Sequence, residues 1–181
     1  MMDRRLWQDW KAAAERPAVD AALRDLYAQI DAAVAERGPT CWASGKCCKF
    51  DEFGHRLYVT GLEIAWFLHQ VEQGGAEVDA AASHGGRGIA SGGAIRLPQF
   101  AEHAGACPYQ IAGLCSTHQV RPLGCRIFFC QAGTEDWQQD LYERFLAHLQ
   151  ALHEEAGIEY RYMDWIAGLS EAAEAAAPAG G

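Results

Sequence analysis

The sequence predicts a mainly α fold with a few short strands: a small single domain of about four or five helices around a cysteine-lined metal site. Three observations lead there. Apolar residues recur at helical spacing through the first forty residues and again after residue 134. Helix start and stop signals bracket those stripes. All seven cysteines fall outside them, in segments rich in glycine, proline and polar residues.

Leu6, Trp7, Trp10 and Ala14 share one helical face, and Pro17 suits the first turn of a second helix. Val19, Leu23, Leu26, Tyr27, Ile30 and Val34 form its stripe, which Gly38-Pro39 ends. Leu57, Tyr58 and Val59 read as a short strand. Thr60-Gly-Leu-Glu63 is a capping box, in which the Thr and Glu side chains satisfy amides that a helix start leaves unpaired. Ile64, Phe67, Leu68 and Val71 give that helix a buried face, and Gln73-Gly74-Gly75 stops it.

Residues 76–93 carry little pattern, and the glycine-rich stretch 85–93 reads as a mobile loop. As a phosphate cradle it lacks the Lys-Ser/Thr ending and a strand before it. Residues 94–100 suit a short strand. Ala112-Gly113 suits a turn, placing Cys107 and Cys115 on two arms of a small hairpin or knuckle. Ser116 is placed to cap a helical turn ending before Pro122.

Thr134 is placed to cap the last long helix, with Glu135 and Asp136 complementing its positive end. Trp137, Leu141, Phe145, Leu149 and Leu152 make its stripe, and Gly157 ends it. Tyr160 to Leu169 adds a strand residue or two and a short helix. Residues 171–181 are Ala, Glu, Pro and Gly and read as a disordered tail, leaving 1–170 as the domain.

The 181 residues suffice to bury a core without covalent staples. The net charge of −9, with Lys and Arg scattered, argues against nucleic acid or anionic membranes as partners. No stretch approaches the roughly 18 apolar residues of a membrane span, and no signal-peptide run follows the N-terminal arginines. The expected location is the cytoplasm. There thiols stay reduced, so clustered cysteines point to metal binding before disulfides.

The cysteines form two blocks: Cys41, Cys47 and Cys48, then Cys107, Cys115, Cys125 and Cys130. Thiolates are soft ligands that select zinc, copper(I) or iron–sulfur clusters. A tetrahedral zinc site and a cubane cluster each take four. Seven exceed one such site and fall one short of two. A single cysteine is commonly a small buried hydrophobe, and Cys125 and Cys130 could pack against Arg126-Ile-Phe-Phe129 in that way. Seven in loops fit that reading poorly.

Cys41-Trp-Ala-Ser-Gly-Lys-Cys-Cys48 resembles the Cys-x2-Cys-x2-Cys-Cys motif of the YkgJ-like family of zinc- or iron-chelating cysteine clusters. Cys107-Pro, Cys115, Arg121-Pro and Cys125-Arg, in that order, resemble its second half. The resemblance covers about ninety residues, in two separate blocks. It implies chelation of zinc or iron by these cysteines. Some members are linked to flagellin lysine N-methylation, which implies an iron–sulfur cluster. Ser44 stands where the motif has its second cysteine. Serine is a poor metal ligand at neutral pH, so one principal site is expected rather than two.

Arg121 and Arg126 are candidates for cofactor binding, by hydrogen-bonding cluster sulfur or offsetting thiolate charge. Their plainer reading is a salt bridge or a helix-end contact. His103 and His118 could replace a missing thiolate, although solvated loop histidines are the simpler reading. Trp66, Phe67, Trp137 and Phe145 read as core.

The leading expectation is a zinc or iron–sulfur carrier of unassigned role, whose partner is the metal ion or cluster. A cluster-dependent protein-modifying enzyme is the second, although no glycine-rich strand–turn–helix for a nucleoside cofactor is visible. A structural zinc knuckle in an interaction domain is the third. A redox role for Cys47-Cys48 is disfavoured, because the pair lacks the two intervening residues of a thioredoxin-like motif.

Overall fold

Residues 2–39, 44–74 and 105–177 are described by a computed structural model. The glycine-rich stretch 85–93, the expected strand at 94–100, Cys41 and His103 lie outside them. The described residues form seven α-helices in chain order: α1 (Arg4–Ala14), α2 (Pro17–Arg37), α3 (Phe50–Phe53), α4 (Gly61–Glu72), α5 (Leu123–Ile127), α6 (Glu135–Glu155) and α7 (Trp165–Ala176). Four short strands accompany them: β1 (Tyr58–Thr60), β2 (Gln110–Ile111), β3 (Leu114–Cys115) and β4 (Tyr162–Asp164). The mainly helical class with a few short strands is the one the sequence predicts. No helix among the described residues is long and apolar enough to cross a membrane.

Helix α4 is the centre. Its sequence is apolar on nearly all sides, and residues 61 to 68 are all buried, as befits a helix enclosed by others. Helix α1 lies against it through Trp10, which is fully buried and donates Nε1–H to the Glu159 carbonyl at 2.9 Å. That approach requires glycine at 61, where a Cβ would stand 2.4 Å from the Trp10 ring. Helix α7 covers another side through Gly168, where a Cβ would meet Ile64 at 2.3 Å. Strands β1 and β4 pair antiparallel, Val59 opposite Met163, and bring the C-terminal segment back to the start of α4.

The capping box forms as expected: Thr60 Oγ1 accepts from the Glu63 amide at 3.2 Å, and Glu63 Oε2 accepts from the Thr60 amide at 2.9 Å. Glu63 does more than close this helix end. It is 2% exposed, and its Oε1 also accepts from the Leu123 amide at 2.9 Å and from the Tyr27 hydroxyl at 3.2 Å. One carboxylate therefore joins α2, α4 and the start of α5. Burial pushes its pKa up, and the donations from Thr60, Leu123 and Tyr27 pull it back.

Three expectations need correction. Residues 171–176 are not a disordered tail but the second half of α7, with Ala172 and Ala175 buried. Alanine is the best helix former, so an Ala-rich end with a packing face continues the helix. Thr134 occupies the N-cap position of α6 but makes no capping bond, because its hydroxyl donates to the Gln131 carbonyl and accepts from Gln138 Nε2, each at 2.6 Å. Ser116 does not cap a turn either. Its hydroxyl donates to the Tyr109 carbonyl at 2.8 Å, across the β2–β3 hairpin.

Two outcomes test this account. Glu63→Ala leaves two buried amides and a buried hydroxyl unpaired, and is expected to lower stability by roughly 3 kcal/mol or more in urea titration. His153, 1% exposed near the end of α6, has its pKa pushed below 6.5 by burial. The unfolded chain therefore takes up the proton first, and stability falls as pH drops from about 6.5 toward the folded value. His153→Gln is expected to remove that component, read as the difference between the two proteins' denaturation midpoints from pH 7.5 to about 5.

Candidate metal centre

The first block reaches the second through glycine. Gly45 has φ of 68°, and a Cβ there would stand 2.2 Å from the Gly113 carbonyl oxygen. Its own carbonyl accepts from the Cys48 amide at 3.1 Å and from Gln110 Nε2 at 2.8 Å. Gln110 Nε2 also reaches the Gly113 carbonyl at 3.3 Å. Gln110 thus clamps the Lys46–Cys48 turn to the tip of the β2–β3 hairpin. The hairpin turns at Ala112 and Gly113, both with positive φ, the geometry that suits the twist of two-residue hairpins. The two blocks are then joined directly: the Cys107 amide donates to the Cys48 carbonyl at 2.7 Å.

This arrangement brings thiols together. Cys47 and Cys48 have sulfurs 3.9 Å apart, and the Cys48 thiol interacts also with Cys107 and Cys115. Interaction with these three sulfurs, and burial, drive the Cys48 pKa up. The hydrogen bond with Cys48 lowers Cys47 to about 7 and Cys115 to about 6, and lowers Cys107 as well. Thr117 Oγ1, 3.7 Å from Cys115 Sγ, assists at Cys115. Cys125, on α5, is raised by burial and by the negative charge of Cys107 and Cys115. Among the described residues no three His, Cys, Asp or Glu side chains stand in the geometry of a formed metal site. None of the six described cysteines is in a disulfide.

Two buried donors lie beside this group, Arg121 Nε and Trp165 Nε1. Arg121 Nε makes no hydrogen bond, while the Arg121 charge favours the thiolates of Cys47, Cys115 and Cys125. The buried Trp165 indole acts on Cys107 to lower its pKa. Orphaned buried donors are costly unless something negative completes them. Thiolate sulfur supplies that negative charge, so the donor set and its surroundings fit a soft, thiolate-bound metal ion or cluster.

The remaining candidates separate. Arg126 is buried and spends its donors on structure: Arg121 and Gln119 carbonyls at 2.8 and 2.6 Å, and Asp31 at 2.6 Å, with its guanidinium 4.4 Å from the Tyr27 ring. It holds the Arg121 backbone while Arg121 faces the thiols. Cys130 is exposed and stands apart, 3.9 Å from Ser44 Oγ. His118 is exposed on the turn after Cys115. Sequence reasoning missed Gly45, Gln110 and Trp165. Gly45, within three residues of Cys48, carried a signal; Gln110 and Trp165 carried none, because their roles arise from distant partners.

The chain matches no protein-family model, no curated protein and no solved structure.

The clamp gives a contrast between two glycines. Gly45→Ala meets both a left-handed backbone and the Gly113 carbonyl, whereas Gly54, φ 67°, has open space where a Cβ would go. Gly54→Ala is expected to cost about 1 kcal/mol and Gly45→Ala at least about twice that, by chemical denaturation.

Proposed function

We propose that this protein binds a soft metal, zinc or iron as an iron–sulfur cluster, through thiolates of its two cysteine blocks. Cys47, Cys48, Cys107 and Cys115 are the principal ligands, with Cys125 beside them. The observation that carries this reading is the junction of the two blocks, where the Cys47 and Cys48 sulfurs stand 3.9 Å apart and the Cys107 amide bonds the Cys48 carbonyl at 2.7 Å, with Arg121 Nε buried and without a hydrogen bond. The resemblance of the two blocks to the zinc- or iron-chelating cysteine-cluster family supports it. Cys130 and Ser44 lie together at the edge, where a second site would have lost a ligand to serine. A reducing compartment, the cytoplasm, suits such a group.

A cluster that serves chemistry is favoured over a closed structural knuckle by one feature. Cys47 and Cys125 line a cleft that opens to the surface. A closed site with four protein ligands offers no open position, whereas a reactive site needs a route to the metal.

Anaerobic purification with zinc, iron and sulfide assays tests the reading. About one equivalent of zinc, or iron and sulfide in cluster proportion, is expected per chain. Cys107→Ser is expected to lose most of the metal and to melt earlier, while Cys130→Ser retains it. Unchanged metal content in Cys107→Ser would sink the assignment of ligands.

A further inference from the structure

The cleft beside the thiols has a volume of about 550 Å³, within the range of small-molecule sites. Its floor includes Cys47, Cys125 and Cys130. Its walls include the rings of Tyr58, Tyr142, Tyr162 and Phe128. Three of these are held at the surface with unusual exposure: Tyr58 at 44%, Tyr162 at 37% and Phe128 at 37%. They are supported by neighbouring rings. Tyr58 stacks on Tyr162 with centroids 5.5 Å apart, and Phe128 stacks on His55 at 4.8 Å. His55 in turn bonds the Cys47 carbonyl through Nε2 at 3.3 Å, which ties the ring wall to the thiol floor. Exposed, pre-stacked aromatic faces around a concavity are a surface for a flat or apolar body.

The cleft carries one cationic and one anionic side chain, Arg56 and Glu135. Arg56 is compensated by Asp164 at 3.6 Å. Glu135 has no ion-pair or hydrogen-bond partner among the described residues. Aromatic faces further favour positive charge through their quadrupoles.

We propose that this cleft binds a small organic cation with an aromatic body, its charge toward Glu135 and its ring among Tyr58, Tyr162 and Phe128. Cys47, one of the proposed ligands, lines the cleft, so the occupant lies beside the centre; this part rests on the metal reading above.

Three probes of one shape and different charge test it: tyramine, 4-ethylphenol and 4-hydroxyphenylacetate, titrated into full-length, anaerobically purified protein by two-dimensional amide NMR. Tyramine is expected to shift resonances around residues 55–58 and 127–139 and to bind about fivefold or more tightly than the phenol, with the acid weakest. Glu135→Gln, at an exposed position, is expected to remove that preference, and Phe128→Ala to weaken all three. Metal content is measured on the same samples. Equal binding of the three probes, or no shifts up to about 10 mM, overturns the cation site whatever the metal content. Charge-selective binding by metal-free protein upholds the site and overturns the metal reading alone.

Discussion

The buried carboxylate of Glu63 is the constraint on which the rest of the structure depends. A carboxyl group at 2% exposure is tolerated only when its oxygens are engaged, and here they accept from Thr60, Leu123 and Tyr27. Those donors belong to three parts of the chain that are far apart in sequence. The first amide of α5 is thereby fixed against the central helix, and Cys125 follows two residues later on the same short helix. A five-residue helix has little stability of its own, so its position must come from tertiary bonds. Glu63 supplies one, and Arg126 supplies others through Asp31 and the carbonyls of Gln119 and Arg121.

The thiol group is assembled by backbone before side chains. Gly45 allows the first block to lie on the hairpin tip, Gln110 holds it there, and the bond from Cys107 to the Cys48 carbonyl closes the junction. Bringing segments from the two ends of a long connection together costs loop entropy, which local hydrogen bonds offset only in part. A metal bound by both blocks would add free energy available only to the folded chain, coupling occupancy to folding.

Electrostatics separate the two arginines that the sequence could not rank. Arg126 is enclosed by acceptors and serves the scaffold, while Arg121 keeps a buried Nε free and acts on three thiols. Trp165 likewise lowers the pKa of Cys107. As the first residue of α7, it is set by the strand pairing that returns the C-terminal segment to β1, with its amide donating to the Leu57 carbonyl at 2.8 Å.

The long helices were legible in the sequence, because apolar periodicity, Gly38 and the Thr60–Glu63 box act over a few residues. The hairpin turn at Ala112-Gly113 was legible for the same reason. The Ala-rich end was misread because composition alone does not reveal a packing face, and Thr134 and Ser116 because a hydroxyl chooses among acceptors that only the fold provides. Tertiary structure alone decided which thiols meet, which arginine faces them, and that an aromatic cleft opens beside them. Those outcomes depend on contacts between residues tens of positions apart, whose distances no local pattern encodes.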